Sequence, residues 1–332
     1  MKYNARIQPS GTEFSVKDDA TILESAIESS IYLEHSCMNG SCGVCKSKLL
    51  QGKLKDSSAI ASVKGLSDEE ISGGYILTCQ AIANSDIELE AEFYPELSNI
   101  KKSVQPCKVE NLSFPDDDIV ILKLKLPPTA KFEYLPGQYI QLIVKGNRRS
   151  YSIANAHSSY QGIELHIRKI ENGLFSGFLF NELKLDQLLR LEGPLGSFFV
   201  RDGEAPIIFL AGGTGFAPVK AMVEELISRQ SRREIYVYWG SSKESLFYSD
   251  LPEEWVLEKN IVRYVSVLSA NNDWNGRKGL VHEAVLEDIK DLGGFEVYAS
   301  GSSAMIEAAR ASFISKGLKA SDFHSDAFVS SE

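Results

Sequence analysis

No run of apolar residues in this chain approaches the length needed to cross a bilayer, which excludes a membrane-spanning helix. Positive charge is the minority sign. Against 45 Asp and Glu stand 35 Lys and Arg, a formal net charge of -10, so a phosphate backbone would be repelled and nucleic acid is not an expected partner. The opening Met1-Lys2-Tyr3-Asn4-Ala5-Arg6 leads into a polar, strand-like segment rather than a secretory core, and the expected location is the cytoplasm. His35, His157, His282 and His324 fall at no metal-ligand spacing, and nothing resembles a nucleophilic triad. Internal repeats and low-complexity tracts are absent as well. Cysteine is scarce, 5 in 332 residues, an odd count that fits a reducing compartment better than a disulfide framework.

What is present is concentrated. Four of those cysteines, Cys37, Cys42, Cys45 and the distant Cys79, follow a C-x4-C-x2-C … C spacing that resembles the plant-type ferredoxin pattern for a [2Fe–2S] cluster. Each iron of such a cluster takes two bridging sulfides and two thiolates, so three ligands on one short loop and a fourth from elsewhere can enclose the pair. Gly40 and Gly43 allow the loop to bend tightly and bring N–H groups toward the sulfurs. Structural zinc sites favour paired short spacings and have no use for x4. A zinc-stabilised, non-enzymatic scaffold is the alternative from another class. Cys107 is left over and reads as a buried thiol.

The hydrophobic period changes along the chain and predicts three domains. Residues 1–95 show short strands around one amphipathic helix, Ala20 to Ser30, with the cysteine loop directly after it, an α+β pattern that suits a β-grasp domain. Residues 96–104, with the basic pair Lys101-Lys102, read as a linker. Residues 105–202 alternate with period two, as in Val120, Leu122, Leu124 and Leu126 against Lys123 and Lys125, and carry one short helix, Phe175 to Leu183. This predicts an antiparallel six-stranded β-barrel. Residues 203–332 turn to continuous apolar runs alternating with helices, the mark of an α/β doubly wound parallel sheet, which binds ligands at the carboxyl ends of its strands.

Two motifs carry the chemistry of the later segments. Arg149-Ser150-Tyr151-Ser152 lies on a barrel strand, and Gly212-Gly213-Thr214-Gly215-Phe216-Ala217-Pro218 joins a strand to a helix without the Lys-Ser/Thr of a P-loop. Together they resemble the R-x-Y-S and G-G-T-G-x-x-P signatures of the ferredoxin–NADP reductase superfamily. That resemblance implies that Arg149 neutralises a flavin phosphate, that Tyr151 packs on the isoalloxazine and that the Ser152 hydroxyl approaches its N5. His166 and Arg168 alternate on one strand face, and Gly173-Leu174-Phe175-Ser176 opens a helix whose N–H groups would meet a pyrophosphate, which favours FAD over FMN. By the same resemblance Gly213, Thr214 and Gly215 line the site of a nicotinamide nucleotide, Gly240 borders its ribose and adenine, and Ser300-Gly301 sits beside the nicotinamide. Ser300 departs from the cysteine that relatives carry there. Asp326-Ala327-Phe328 resembles the segment whose aromatic ring covers the flavin, with a plain apolar anchor as the ordinary reading. Trp239, Trp255 and Trp274 read as packing residues.

Longer stretches, among them Leu135-Pro136-Gly137-Gln138-Tyr139-Ile140, Arg148 to Asn155 and Phe323-His324-Ser325-Asp326-Ala327-Phe328, resemble the CDP-6-deoxy-Δ3,4-glucoseen reductase family. The resemblance implies an electron carrier that takes hydride from NADH, with NADPH also admissible, and passes single electrons through FAD and the cluster. The implied acceptor is a pyridoxamine-phosphate-dependent CDP-6-deoxyhexulose 3-dehydrase of 3,6-dideoxyhexose synthesis for surface polysaccharide, met in a transient complex. The runner-up is the reductase component of an aromatic-ring or alkane oxygenase.

Overall fold

The computed structural model describes residues 2–55, 64–258, 262–269 and 274–328. These divide into two compact units: residues up to Lys101 with Gly196–Phe198 and the chain from Asp326, and Lys102–Leu195 with Phe199–Ser325.

In the first unit β1 (Lys2–Gln8), β2 (Thr12–Lys17), α1 (Ile22–Glu28), β3 (Lys46–Gln51), α2 (Asp68–Ser72), β4 (Tyr75–Leu77) and β5 (Ile87–Glu90) follow in order. The sheet runs β2-β1-β5-β3-β4, with β1 and β5 parallel and the other pairs antiparallel, the topology of a β-grasp. Alternating Ala5 and Ile7 on β1 and Phe14 and Val16 on β2 turn inward to meet Ile22, Leu23 and Ala26 of the helix. The helix is shorter than its apolar pattern because Thr21 caps it. Its hydroxyl accepts from the Glu24 N–H at 3.2 Å while its own N–H donates to the Glu24 carboxylate at 2.9 Å, a reciprocal arrangement that fixes the first turn. In the interval read as a linker, Leu97 is buried.

The second unit opens with the barrel: β6 (Ser103–Asp116), β7 (Ile119–Lys125), β8 (Tyr139–Val144), β9 (Asn147–Ser152), β10 (Ile163–Arg168), α3 (Leu174–Asn181) and β11 (Leu188–Leu195). Its six antiparallel strands run β10-β7-β6-β11-β8-β9, and an antiparallel bridge between Ile153 and Leu165 joins the two edges. Val120, Leu122 and Leu124 fill the interior with Ile140, Leu142 and Leu165. Cys107 lies in the same core, where burial pushes its thiol up to about 12.

Next come β12 (Ile207–Gly212), α4 (Phe216–Ser228), β13 (Ile235–Ser241), α5 (Leu251–Glu258), β14 (Val262–Leu268), β15 (Arg277–Lys278), α6 (Val281–Asp288), β16 (Glu296–Ser302), α7 (Ser303–Ile314) and β17 (Phe323–Phe328). The strand order is β15-β14-β13-β12-β16-β17, and the pairs from β15 to β16 are parallel. Ile207, Ile208, Phe209 and Leu210 are wholly buried, as a strand covered on both faces requires. Chain order reverses between β12 and β16, so the crevice at their carboxyl ends is the switch point where such sheets bind ligands. Among the described residues no helix is long and apolar enough to cross a membrane.

Candidate functional site

The cysteine loop hangs between α1 and β3, and ordinary backbone pairing brings the fourth cysteine to it. Lys46 lies opposite Leu77 across β3 and β4, the Thr78 N–H donates to the Cys45 carbonyl at 3.1 Å, and Leu23 N–H donates to the Thr78 carbonyl at 2.9 Å. Cys79 is thereby delivered with its sulfur 3.2 Å from that of Cys45. Cys37 and Cys42 form a second hydrogen-bonded pair. Among the described residues no three histidine, cysteine or carboxylate groups gather as they would around one ion. Two thiol pairs fit the donor set that a two-iron cluster needs, two thiolates for each iron.

Backbone dipoles reinforce that set. The hydrogen bond from Cys42, followed by the N–H groups of Asn39, Cys42 and Ser41, holds the Cys37 thiol below its ordinary value against the opposing effect of burial. Cys79 is lowered by Cys45 first, and then by the Gln80 amide and the Gly40 N–H. Cys42 and Cys45, the donors within each pair, are raised. The loop achieves this with positive φ at Gly40 and Gly43. A side chain on Gly43 would stand 2.9 Å from the Gly65 carbonyl, whose N–H in turn donates to Gly40 at 3.1 Å. Gly65 is thus a supporting residue that the cysteine spacing did not reveal. A [2Fe–2S] cluster fits this cradle.

On the barrel, β9 carries Arg149 and Tyr151 on one face and Ser152 on the other. Arg149 and Tyr151 are half-buried and Ser152 is buried. The ring of Tyr151 lies 6.1 Å from that of Phe175 on α3. That helix begins at Gly173 without a side-chain cap, leaving its first-turn N–H groups for an anion. The Ser176 hydroxyl is committed elsewhere, donating to the Ile170 carbonyl at 2.9 Å and so fastening the turn before the helix. Arg168 is exposed at the end of β10. His166 is buried, with Nε2 2.9 Å from Glu164 and Nδ1 3.0 Å from the Tyr248 hydroxyl, so both ring nitrogens serve the protein interior. A flavin dinucleotide fits the Arg149, Tyr151 and helix N-terminus set.

At the switch point the register is decisive. Gly212 pairs with Gly240, and Ala211 with Ser300, so the glycine turn, Gly240 and Ser300-Gly301 end three neighbouring strands at one level. A Cβ on Gly215 would come 2.1 Å from the Ser300 carbonyl, and one on Gly301, whose φ is +150°, would meet Met305 at 2.9 Å. Gly213 adopts φ +53°, and Thr214 is half-buried beside it. Trp239, read as a packing residue, stacks on Phe216 at 4.0 Å and also donates its indole N–H to the Gly213 carbonyl at 2.9 Å. The Ser300 hydroxyl is fully buried with no hydrogen-bond partner among the described residues. An orphaned hydroxyl beside an uncapped glycine turn fits a polar planar ligand such as a nicotinamide. Phe328 closes β17 and is 39% exposed; Asp326, two residues before it, is buried and accepts from the Ser36 hydroxyl at 2.6 Å, next to Cys37.

Comparison with known proteins follows the same division. Residues 5–84 match the 2Fe-2S iron-sulfur cluster binding domain, 106–200 the oxidoreductase FAD-binding domain and 209–311 the oxidoreductase NAD-binding domain. The chain is 53% identical, over the whole of both sequences, to CDP-6-deoxy-L-threo-D-glycero-4-hexulose-3-dehydrase reductase of Yersinia pseudotuberculosis serotype I (strain IP32953). It is 32% identical to the reductase component of phenol 2-monooxygenase from Pseudomonas sp. (strain CF600), covering 93% of this chain and 89% of the relative. A solved ferredoxin reductase in carbazole 1,9a-dioxygenase superposes with a TM-score of 0.71 at 26% identity, covering 99% of each chain.

Proposed function

The chain belongs to the CDP-6-deoxy-L-threo-D-glycero-4-hexulose-3-dehydrase reductase family, iron–sulfur flavoprotein oxidoreductases fed by a nicotinamide nucleotide, and we propose that NADH is its electron source and a pyridoxamine-phosphate-dependent CDP-6-deoxyhexulose 3-dehydrase its acceptor. The observation that carries this reading is the full-length identity of 53%, against 32% to the phenol monooxygenase component that shares the domain order. Bound flavin accepts an electron pair and releases single electrons, which a two-iron cluster carries one at a time.

The chain's own residues prepare each transfer. Arg149 offers a fork of donors to a flavin phosphate, and the Tyr151 face covers a planar ring and excludes water. The Ser152 hydroxyl stands at the end of the same strand to meet the ring's reactive edge. Gly213, Thr214 and Gly215 let a nicotinamide approach the backbone, Gly240 borders its ribose while its missing side chain makes way for Val281 of α6, and the buried Ser300 hydroxyl supplies a polar contact beside Gly301 that orients it. Phe328 is the aromatic residue that would cover the flavin until the nucleotide arrives. After β13 the neighbouring Lys243 and Glu244 carry opposite charges, so the choice of NADH over NADPH rests on the family rather than on a ribose clamp. Cys37 with Cys42, and Cys45 with Cys79, hold the two irons. The reading places the protein in the cytosol and makes its complex with the dehydrase transient, as for other electron carriers.

A coupled assay tests the assignment. With NADH, a CDP-deoxysugar and the dehydrase, the purified chain should sustain reduction of the sugar at C3. Turnover with a phenol or aromatic-ring oxygenase and none with the dehydrase would transfer the chain to the runner-up reading.

A further inference from the structure

The barrel and the nicotinamide segment lie in one compact unit, and a group of buried charges joins them. Lys220, on α4 one turn beyond the glycine turn, is 6% exposed. Its ammonium donates to the Ala154 carbonyl at 3.0 Å and pairs with Glu164 of β10 at 3.1 Å and with Glu224 of its own helix at 2.7 Å. Glu224 reaches back to the barrel, accepting from the Ala156 N–H at 3.1 Å and the Ser159 hydroxyl at 2.5 Å. Glu164 also meets His166 and, at 3.3 Å, Lys123, while His166 is bonded to Tyr248 beyond β13. Two lysines balance two carboxylates, and every buried member has a partner.

Ala154 and Ala156 are not arbitrary anchor points. They continue the strand that carries Arg149, Tyr151 and Ser152, and Asn155 between them stiffens the turn by accepting from the Glu164 N–H at 2.9 Å and donating to the Tyr134 hydroxyl at 2.9 Å. At its other end α4 starts from Gly215, directly after the turn proposed to receive the nicotinamide. One helix therefore links the nucleotide turn to the flavin strand through directional bonds. Stability does not call for such charges, since well-packed apolar residues in place of a buried ion pair are often neutral or stabilising. What ion pairs and hydrogen bonds add is a fixed distance and angle.

We infer that Lys220 is a positioning residue for hydride transfer, holding the nicotinamide turn in register with the flavin strand through Ala154, Glu164 and Glu224. This rests on the flavin and nicotinamide reading above. A displacement of about 1 Å at reacting atoms costs on the order of a hundredfold in rate, so losing the tether should appear in the chemical step more than in binding.

The test uses the full-length protein loaded with FAD and cluster, mixed anaerobically with NADH in a stopped-flow instrument. Lys220→Met should keep its flavin and cluster spectra and bind NADH within about threefold of the parent, while the limiting rate of flavin reduction falls at least about tenfold and the long-wavelength charge-transfer absorbance of the stacked rings weakens. Lys220→Arg, which keeps the charge, should recover part of both signals. If Lys220→Met does not fold, Glu224→Gln carries the test, with the same split between rate and affinity. An unchanged limiting rate and charge-transfer band in a folded variant would overturn the inference. A parent protein that neither NADH nor NADPH reduces would overturn the underlying reading instead.

Discussion

The cysteine loop and the Lys220 seam both hold charge away from bulk water, with opposite materials. The loop uses backbone: N–H groups of Asn39, Ser41 and Cys42 point at Cys37, and glycines with positive φ make the curvature. The seam uses side chains drawn from β7, β10, α4 and the segment after β13, each paired with another member of the group. A loop of amides can adapt to a group bound from outside, because its donors converge on thiols that are themselves open to a further ligand. A closed set of ion pairs binds nothing further and is suited to fixing distance.

The sharpest way to break the comparison is to remove one thiol. Cys45→Ser takes away the partner of Cys79. Iron per chain should fall and the half-spin resonance of the dithionite-treated protein should vanish. Electron delivery to the dehydrase should drop more than about a hundredfold, beyond the 10–100-fold typical of an outer-shell loss. NADH reduction of the flavin should stay within about twofold. A parallel collapse of flavin reduction would show that the loop and the seam are not separable.

A second experiment addresses the seam through pH. Burial would raise the Glu164 carboxyl, but the hydrogen bond from His166 and the charge of Lys220 outweigh it and hold it at about 2, against an ordinary 4.5. Because the folded value is the lower, the unfolded chain binds the extra proton. The contribution is present above about pH 4.5 and is lost as pH falls toward 2, and its full size is on the order of 3 kcal/mol. In urea titrations the gap between parent and Glu164→Gln should be widest near neutrality and close on acidification. A gap that does not change with pH would show that Glu164 acts through shape alone.

Those two tests also mark what the sequence discloses. The spacing of Cys37, Cys42 and Cys45 is local, so these three and the need for Gly40 and Gly43 can be read from a short stretch, whereas Cys79 joins them through the pairing of β3 with β4. The three-part architecture is likewise written in hydrophobic period, and the glycine turn in its G-G-T-G run. Gly65 escapes because it lies twenty-odd residues from the loop it supports. Lys220, Glu164 and Glu224 escape for a related reason: each is an ordinary charged residue in its own neighbourhood and acquires a role only when the barrel meets the helix. Alternation with Arg168 marks His166 as a candidate, but alternation cannot tell a ring facing a ligand from one facing Tyr248.

Gly43→Ala is expected to have a smaller effect. Its φ of +71° and the 2.9 Å approach to the Gly65 carbonyl place strain of roughly 1–3 kcal/mol in the loop. Cluster loss to a chelator should quicken severalfold, with the flavin reduction rate unchanged. Stability of the cluster equal to that of the parent would mean that the backbone curvature at Gly43 adds nothing to what the thiols hold.

Ser300→Cys is the mildest change and bears on the boundary between the two materials. Ser300 is fully buried and its hydroxyl has no partner among the described residues, and on the function proposed above that hydroxyl, like the loop amides, serves a group from outside. An unpaired buried hydroxyl costs on the order of 1–3 kcal/mol, whereas a thiol is content in apolar surroundings. The substitution should therefore raise the melting temperature of the nucleotide-free protein slightly. NADH affinity should change by less than about threefold, since most of the nucleotide is held elsewhere, and the rate of flavin reduction should shift because the contact beside the nicotinamide has changed shape and polarity. A stopped-flow trace superimposable on the parent's would remove Ser300 from the chemistry and leave orientation of the nicotinamide to the glycine turn and to the seam behind it.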